Sequence, residues 1–196
     1  MKKLILRLLG WARSVFFYAL RKPAFIEYHR TDVIKKPLQI TPQFIEMGEN
    51  VSIGYHARIQ GVSEYAGVIF QPRIRIEEGV AIQQNLHLTC ANSIVIGKNT
   101  AIAANVTITD IHHPYDDIDL PIERQKLVVK EVVIDEDCKL YNNVVILPGV
   151  HIGKHVTIGA NSVVTKDVPD FCVVVGNPAK VIKKYNFEKR VWVKAI

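Results

Sequence analysis

The chain has 196 residues, 48% of them hydrophobic and 8% aromatic, which bounds it to one globular domain with room for a terminal addition. Its three cysteines, Cys90, Cys138 and Cys172, form no CxxC pair, which excludes a disulfide framework and a paired-cysteine zinc site and fits a reducing, cytosolic compartment. The formal net charge of +6 resides in Lys2, Lys3, Arg7, Arg13, Arg21 and Lys22, while the remainder is neutral, which excludes a nucleic-acid-binding body with a basic face.

Residues 1–22 place Leu4, Ile5, Leu8, Leu9, Ala12, Val15, Phe16, Ala19 and Leu20 at helical spacing, opposite Lys3, Arg7, Ser14 and Arg21. This predicts a basic amphipathic helix. Arg7 and Arg13 interrupt it too often for a spanning helix, and no small-residue cleavage site follows, which points away from a secretory signal. Two readings of its apolar face stay open. It packs on its own body or a sister subunit, or it rests on an anionic membrane surface.

Downstream, aliphatic residues recur every six positions. They run through Ile76, Ile82, Leu88 and Ile94, then, after a two-residue slip, through Ile96, Ile102 and Ile108. After an interruption come Ile134, Leu140, Ile146, Ile152, Ile158 and Val164. Three positions after the aliphatic stand Gly79, Asn85, Asn99, Asn105, Asn143, Gly149 and Asn161, the residue types that tolerate the positive φ of a sharp corner. Four positions after it stand Cys138, Val144, Val150, Val156 and Ser162, so Cys138 reads as an inward core residue rather than a nucleophile. A six-residue unit of strand and bend cannot bury its own apolar side, whereas stacked coils can. The pattern predicts a parallel β-helix.

The interruption, "ITDIHHPYDDIDLPIERQKL" over residues 108–127, predicts a loop of about Asp110 to Lys130 that projects from the solenoid and carries His112 and His113. Imidazole titrates near neutral pH and suits removal of a hydroxyl proton. The predicted organisation is a helix over 1–22, a β-helix domain over 23–182 with the loop at 110–130, and a tail over 183–196.

Two stretches carry a resemblance: "IGKNTAIAANVTITD" and "VVILPGVHIGKHVTIGANSVVTKDVPDFCVVVGNPAKVIKK". They are similar to the hexapeptide-repeat acyltransferases, most of all the sugar O-acetyltransferase branch of galactoside and maltose acetyltransferases and enzymes decorating lipopolysaccharide or capsule. The resemblance implies a left-handed β-helix, a homotrimer with sites between subunits, and acetyl-CoA as co-substrate. It implies His113 as general base, with His112 as the rival, and Asn142, where relatives carry serine, as a donor near the thioester oxygen or simply a corner residue. It places coenzyme A against Asn142, Ala160, Thr165, Lys166, Lys180 and Lys183, with lysine where arginine is common at the last two. On the acceptor side it points to Gln83, Asp110, His112, Tyr115 and Lys139, with Asp110, Asp116 or Asp117 to orient the imidazole. Gln83 and Ala91 replace the usual asparagine and aspartate, which points away from a plain galactoside or maltose acceptor.

The function implied is acetyl-CoA-dependent O-acetylation of a saccharide or lipid-linked saccharide in O-antigen, capsule or other surface-polysaccharide assembly. Its setting is the cytoplasm, with peripheral membrane contact through residues 1–22 as an open reading. The alternatives are N-acetylation of an amino sugar nucleotide, a zinc-binding β-helix resembling the γ-type carbonic anhydrases (with His87, His112, His113, His151 and His155 as the available ligands), and a noncatalytic trimeric scaffold.

Overall fold

The computed structural model describes residues 19–20 and 22–195, so the helix expected over 1–22 lies almost wholly outside the described residues. From Val33 onward the chain winds as a β-helix of short strands in three sheets of nine, six and five strands. Through Cys172–Val175 all neighbours within these sheets pair in parallel. Near the C-terminus Lys139 pairs with Thr157 and Val145 with Val163, a step of 18 residues, so one undisturbed coil is three six-residue units.

The six-residue aliphatics point inward and stack coil upon coil. One column runs Ile53, Ile82, Ile102, Leu140 and Ile158, and another Ile59, Leu88, Ile108, Ile146 and Val164, all nearly or wholly buried. Full burial of each such side chain contributes about 1.5–3 kcal/mol. Cys138 lies in this interior at 2% exposure, and burial pushes its thiol up to about 11.

The corners are built as the spacing predicts. Asn85, Asn105, Asn143 and Asn161 all have φ near +60°. Their amides form a ladder along one edge, with Nδ2 to Oδ1 distances of 2.9, 3.1 and 2.9 Å. At Gly97 a Cβ would lie 2.6 Å from the Asp135 carbonyl carbon, so this corner needs glycine for the close approach of the next coil.

All irregularity gathers at one edge, where the chain passes from the six-stranded to the five-stranded sheet. An undisturbed coil takes 6 residues there, from Ile146 to Ile152; Ile59 to Ile76 takes 17, Leu88 to Ile96 takes 8, and Ile108 to Ile134 takes 26. The slip in the repeat is thus a widened corner at 90–92. The expectation of a single extruded loop is corrected here: a second, shorter excursion leaves two coils earlier. It is a hairpin of Glu64–Tyr65 against Val68–Ile69, turning through Ala66 and Gly67 at positive φ.

The C-terminal strands, Lys180–Asn186 and Val191–Lys194, add antiparallel to the end of the nine-stranded sheet. The expected domain boundary at 182/183 falls inside the first of them. At the other end Phe25 and Tyr28 stack at 4.9 Å and join the core.

Candidate active site

The long loop is a structured projection. Its neck closes where the Lys130 N–H donates to the Asp110 carbonyl at 2.9 Å, and Ile111–His112 then pairs antiparallel with Val128–Val129. Buried Gln125 stitches the tip, donating to the carbonyls of Asp117 and Leu120 at 2.9 and 3.2 Å. His113 follows the short strand and so stands at the neck rather than the free tip.

Three side chains converge there. Nδ1 of His113 faces Oε2 of Glu123 at 4.0 Å and is enclosed without a hydrogen bond. The ring is met edge-on by Tyr65 of the shorter excursion, at 5.3 Å between centroids and 82°. The Tyr65 hydroxyl lies 2.7 Å from both the main-chain oxygen and Oε2 of Glu123, and this hydrogen bond pushes its ionisation upward. Nε2 has no protein partner among the described residues. A carboxylate opposite Nδ1 favours the tautomer with its proton there, which leaves Nε2 as the nitrogen with a free lone pair.

Asp110 takes a different place from the one expected. It is fully buried, and its carboxylate accepts from the backbone N–H groups of Ala91, Asn92 and Ser93 at 2.8, 2.7 and 2.9 Å. It pins the widened corner between the two excursions and has no oxygen left to present to an acceptor or to the imidazole. Asp117 is likewise engaged within the loop, accepting from the Asp119 N–H at 3.0 Å. His112 and Tyr115 are exposed and meet edge-on at 6.0 Å.

The other expected residues lie along a different edge. Asn142 and Ala160 are exposed and one coil apart, joined by the Asn161 N–H donating to the Asn142 carbonyl at 3.0 Å. Gln83 is exposed near the same edge, and Nζ of Lys139 lies over the Tyr141 ring at 5.3 Å. Residue 142 stands six residues before 148, the coil equivalent of Asp110. At strand rise the two edges are about 20 Å apart. One chain therefore does not bring His113 and Asn142 together through its coils.

Lys180 and Lys183 are brought to one face by a bulge. Lys180 pairs with Val175 and Lys183 with Val173, both outward-facing, because the register shifts between Val173 and Val174. Without the shift, residues three apart on a strand would point to opposite faces. Lys166, Lys180 and Lys183 are exposed and have no carboxylate partner among the described residues, so all three are available to phosphate groups. Thr165 is exposed beside Lys166. A cleft of about 470 Å³ elsewhere, on the outer face of the five-stranded sheet, holds none of these residues. Its acidic rim is paired, Glu46 with Arg73 and Arg75, and Glu78 with Lys98.

Comparison with known proteins agrees with this architecture. The family described as bacterial transferase hexapeptide (six repeats) matches residues 131–166. WbbJ of Escherichia coli (strain K12), named for lipopolysaccharide biosynthesis O-acetyl transfer, is 36% identical over 176 residues, covering 86% of each chain. The chain belongs to the hexapeptide-repeat acetyltransferases. This acetyltransferase is also 34% identical over 165 residues to the galactoside O-acetyltransferase of Lactococcus lactis subsp. lactis (strain IL1403), covering 82% of this chain and 74% of the relative. Among solved structures, the N-acyltransferase AntD of Bacillus cereus shares the fold at a TM-score of 0.71 and 19% identity, covering 87% of this chain and 89% of its own.

Sequence reasoning did not find two residues of the acetyltransferase's histidine cluster. Tyr65 and Glu123 lie in excursions without periodicity, so nothing in the repeat numbers them against His113. The residue types offered a weak signal only: Glu123 is one of several acids in its loop, and Tyr65 lies before the first strong repeat. The other histidines considered as zinc ligands, His87, His151 and His155, are accounted for locally. His151 pairs with Asp135 at 3.0 Å, His155 stacks on Phe171 at 5.6 Å, and His87 sits 3.5 Å from Arg58.

Proposed function

We propose that this protein transfers an acetyl group from acetyl-CoA to a saccharide hydroxyl, with His113 as general base. The observation that carries the reading is the asymmetry of His113, with Nδ1 enclosed against Glu123 and Nε2 open. In the step envisaged, Nε2 takes the hydroxyl proton as the oxygen attacks the thioester carbonyl. The tetrahedral adduct then expels the thiolate, which receives the proton from the imidazolium. In this reading the Asn142 amide of a neighbouring copy donates to the developing oxyanion, and such a donor contributes about 3–4 kcal/mol in comparable sites. Lys166, Lys180 and Lys183 take the coenzyme phosphates, with Thr165 and Ala160 along the pantetheine arm. Gln83, His112, Tyr115 and Lys139 face the acceptor.

A homotrimer of left-handed coils completes the site, because the edge bearing His113 and the edge bearing Asn142 belong to different sides of one solenoid. Hydroxyl rather than amine transfer is favoured by the names of the two relatives matched over most of the chain. The setting proposed is surface-polysaccharide assembly at the inner face of the cytoplasmic membrane. Among the described residues no helix is long and apolar enough to cross a membrane.

The test is thiol release from acetyl-CoA with a panel of sugars, sugar nucleotides and lipid-linked oligosaccharides. Acceptor-dependent release is expected, lost by about 100-fold or more in His113→Ala while coenzyme A still binds. A wild type that neither binds coenzyme A nor releases thiol sinks the proposal.

A further inference from the structure

We infer that Tyr65 is a positioning residue for this site: its hydroxyl clamps the Glu123 carboxylate against Nδ1 of His113, so the shorter excursion fixes the orientation and tautomer of the imidazole carried by the longer one. The inference rests on the reading of His113 as the general base, but the clamp itself is a property of three side chains.

Glu123 is 80% exposed at its side chain and has one ion-pair neighbour among the described residues, His113. An exposed glutamate on its own samples many rotamers and would spend little time beside one ring nitrogen. Tyr65 restricts that freedom, since Oη lies 2.7 Å from Oε2 and from the main-chain oxygen of Glu123 and shares its single proton between them. Its ring meets the imidazole edge-on and helps close Nδ1 from water. The 4.0 Å from Nδ1 to Oε2 is one short movement from a hydrogen bond, and such contacts tighten when substrates bind.

The other candidates around His113 are engaged elsewhere or make no ion pair with it. Asp110 is spent on the 91–93 corner, Asp117 accepts from the backbone of its own loop, the His112 ring meets Tyr115, and Asp116 is exposed with no ion pair to His113 among the described residues. On the shorter excursion the facing titratable group is Tyr65 itself, while Glu64 is exposed. Glu123 is therefore the acceptor that faces Nδ1, and Tyr65 is what keeps it in place.

The experiment reads the His113 ring tautomer by 15N NMR of the neutral imidazole in the full chain as wild type, Tyr65→Phe, Glu123→Ala and the double variant, beside kcat and KM. Glu123→Ala removes the acceptor opposite Nδ1 and lowers the share of the tautomer protonated there. Tyr65→Phe keeps the ring but frees the carboxylate, so the tautomer share moves in the same direction, and the double variant matches Glu123→Ala alone. In Tyr65→Phe, kcat falls about tenfold and KM for acetyl-CoA does not change. The inference is overturned if Tyr65→Phe leaves the tautomer share at the wild-type value, or raises it, while Glu123→Ala lowers it. Additive changes in the double variant overturn it as well. A wild type that transfers no acyl group yet shows the coupled tautomer change defeats the acetyltransferase reading and leaves the clamp standing.

Discussion

Replacing Asp110 with alanine leaves three backbone N–H groups at the 91–93 corner without their acceptor. Charge-assisted hydrogen bonds contribute about 1.5–3 kcal/mol each, and buried donors are costly to orphan. Asp110→Ala is expected to lose at least about 3 kcal/mol of stability, read as a lowered urea midpoint. A change no larger than that of a surface alanine would refute the pinning role. Cys138 makes a pH prediction. Its folded thiol is held up at about 11 by burial, whereas an unfolded thiol ionises near its ordinary value of about 8.5. The unfolded state therefore loses the proton first as pH rises. The contribution is complete below about pH 8.5 and is lost towards pH 11, so thermal stability should fall over that window less steeply in Cys138→Val. The two sites differ in what the sequence could show. Cys138 was legible as core because its position in the six-residue count faces inward whatever its chemistry. Asp110 was not, because its partners lie 17–19 residues away on another coil and its charge suggested a ligand.

The ladder of asparagines shows the element scale. Asn143 combines a φ of +60° with amide bonds to Asn105 and Asn161. Asn143→Gly keeps the backbone and loses the bonds, at about 1 kcal/mol. Asn143→Ala also strains the backbone by a further 1–2 kcal/mol or so. Chemical denaturation should rank the two variants in that order, and equal losses would show that the conformation is not what selects asparagine. Corners of this kind were legible in the sequence because a coil repeats them. The same periodicity located the long loop to within its neck at Asp110 and Lys130. It was silent on the hairpin at 64–69, which lies before the first strong repeat and has no copy elsewhere to be compared with. It was also silent on the bulge that puts Lys180 and Lys183 on one face, since one extra residue in an antiparallel strand leaves no periodic trace.

At the scale of the whole molecule, the separation of the His113 and Asn142 edges carries the proposal that activity belongs to neighbouring copies together. If the site is shared, mixed oligomers of His113→Ala and Asn142→Ala chains regain activity, because some interfaces then pair an intact histidine with an intact asparagine. Co-refolding the two inactive variants and assaying the mixture tests this, and a mixture as inactive as its components would place the site within one chain. The basic segment 1–22 belongs to the same scale. Its removal should abolish association with anionic vesicles if it rests on lipid, and leave it unaltered if it packs on protein.

A β-helix is also an unfinished object at each end. The strand Cys172–Val175 repeats the geometry of every strand beneath it, and Val33–Ile34 opens the other end with the same parallel pattern. Left bare, the final rung would offer a row of backbone donors and acceptors to the first rung of another copy, which is the geometry of fibril growth. The C-terminal hairpin reverses the strand direction, and its outer strand carries Lys194 opposite Lys183, so a parallel rung meets an antiparallel, positively charged edge. The hairpin is thus expected to act as a stop against end-to-end polymerisation. A chain cut after Gly176 should elongate into filaments visible by electron microscopy, at concentrations where the full chain remains a discrete particle.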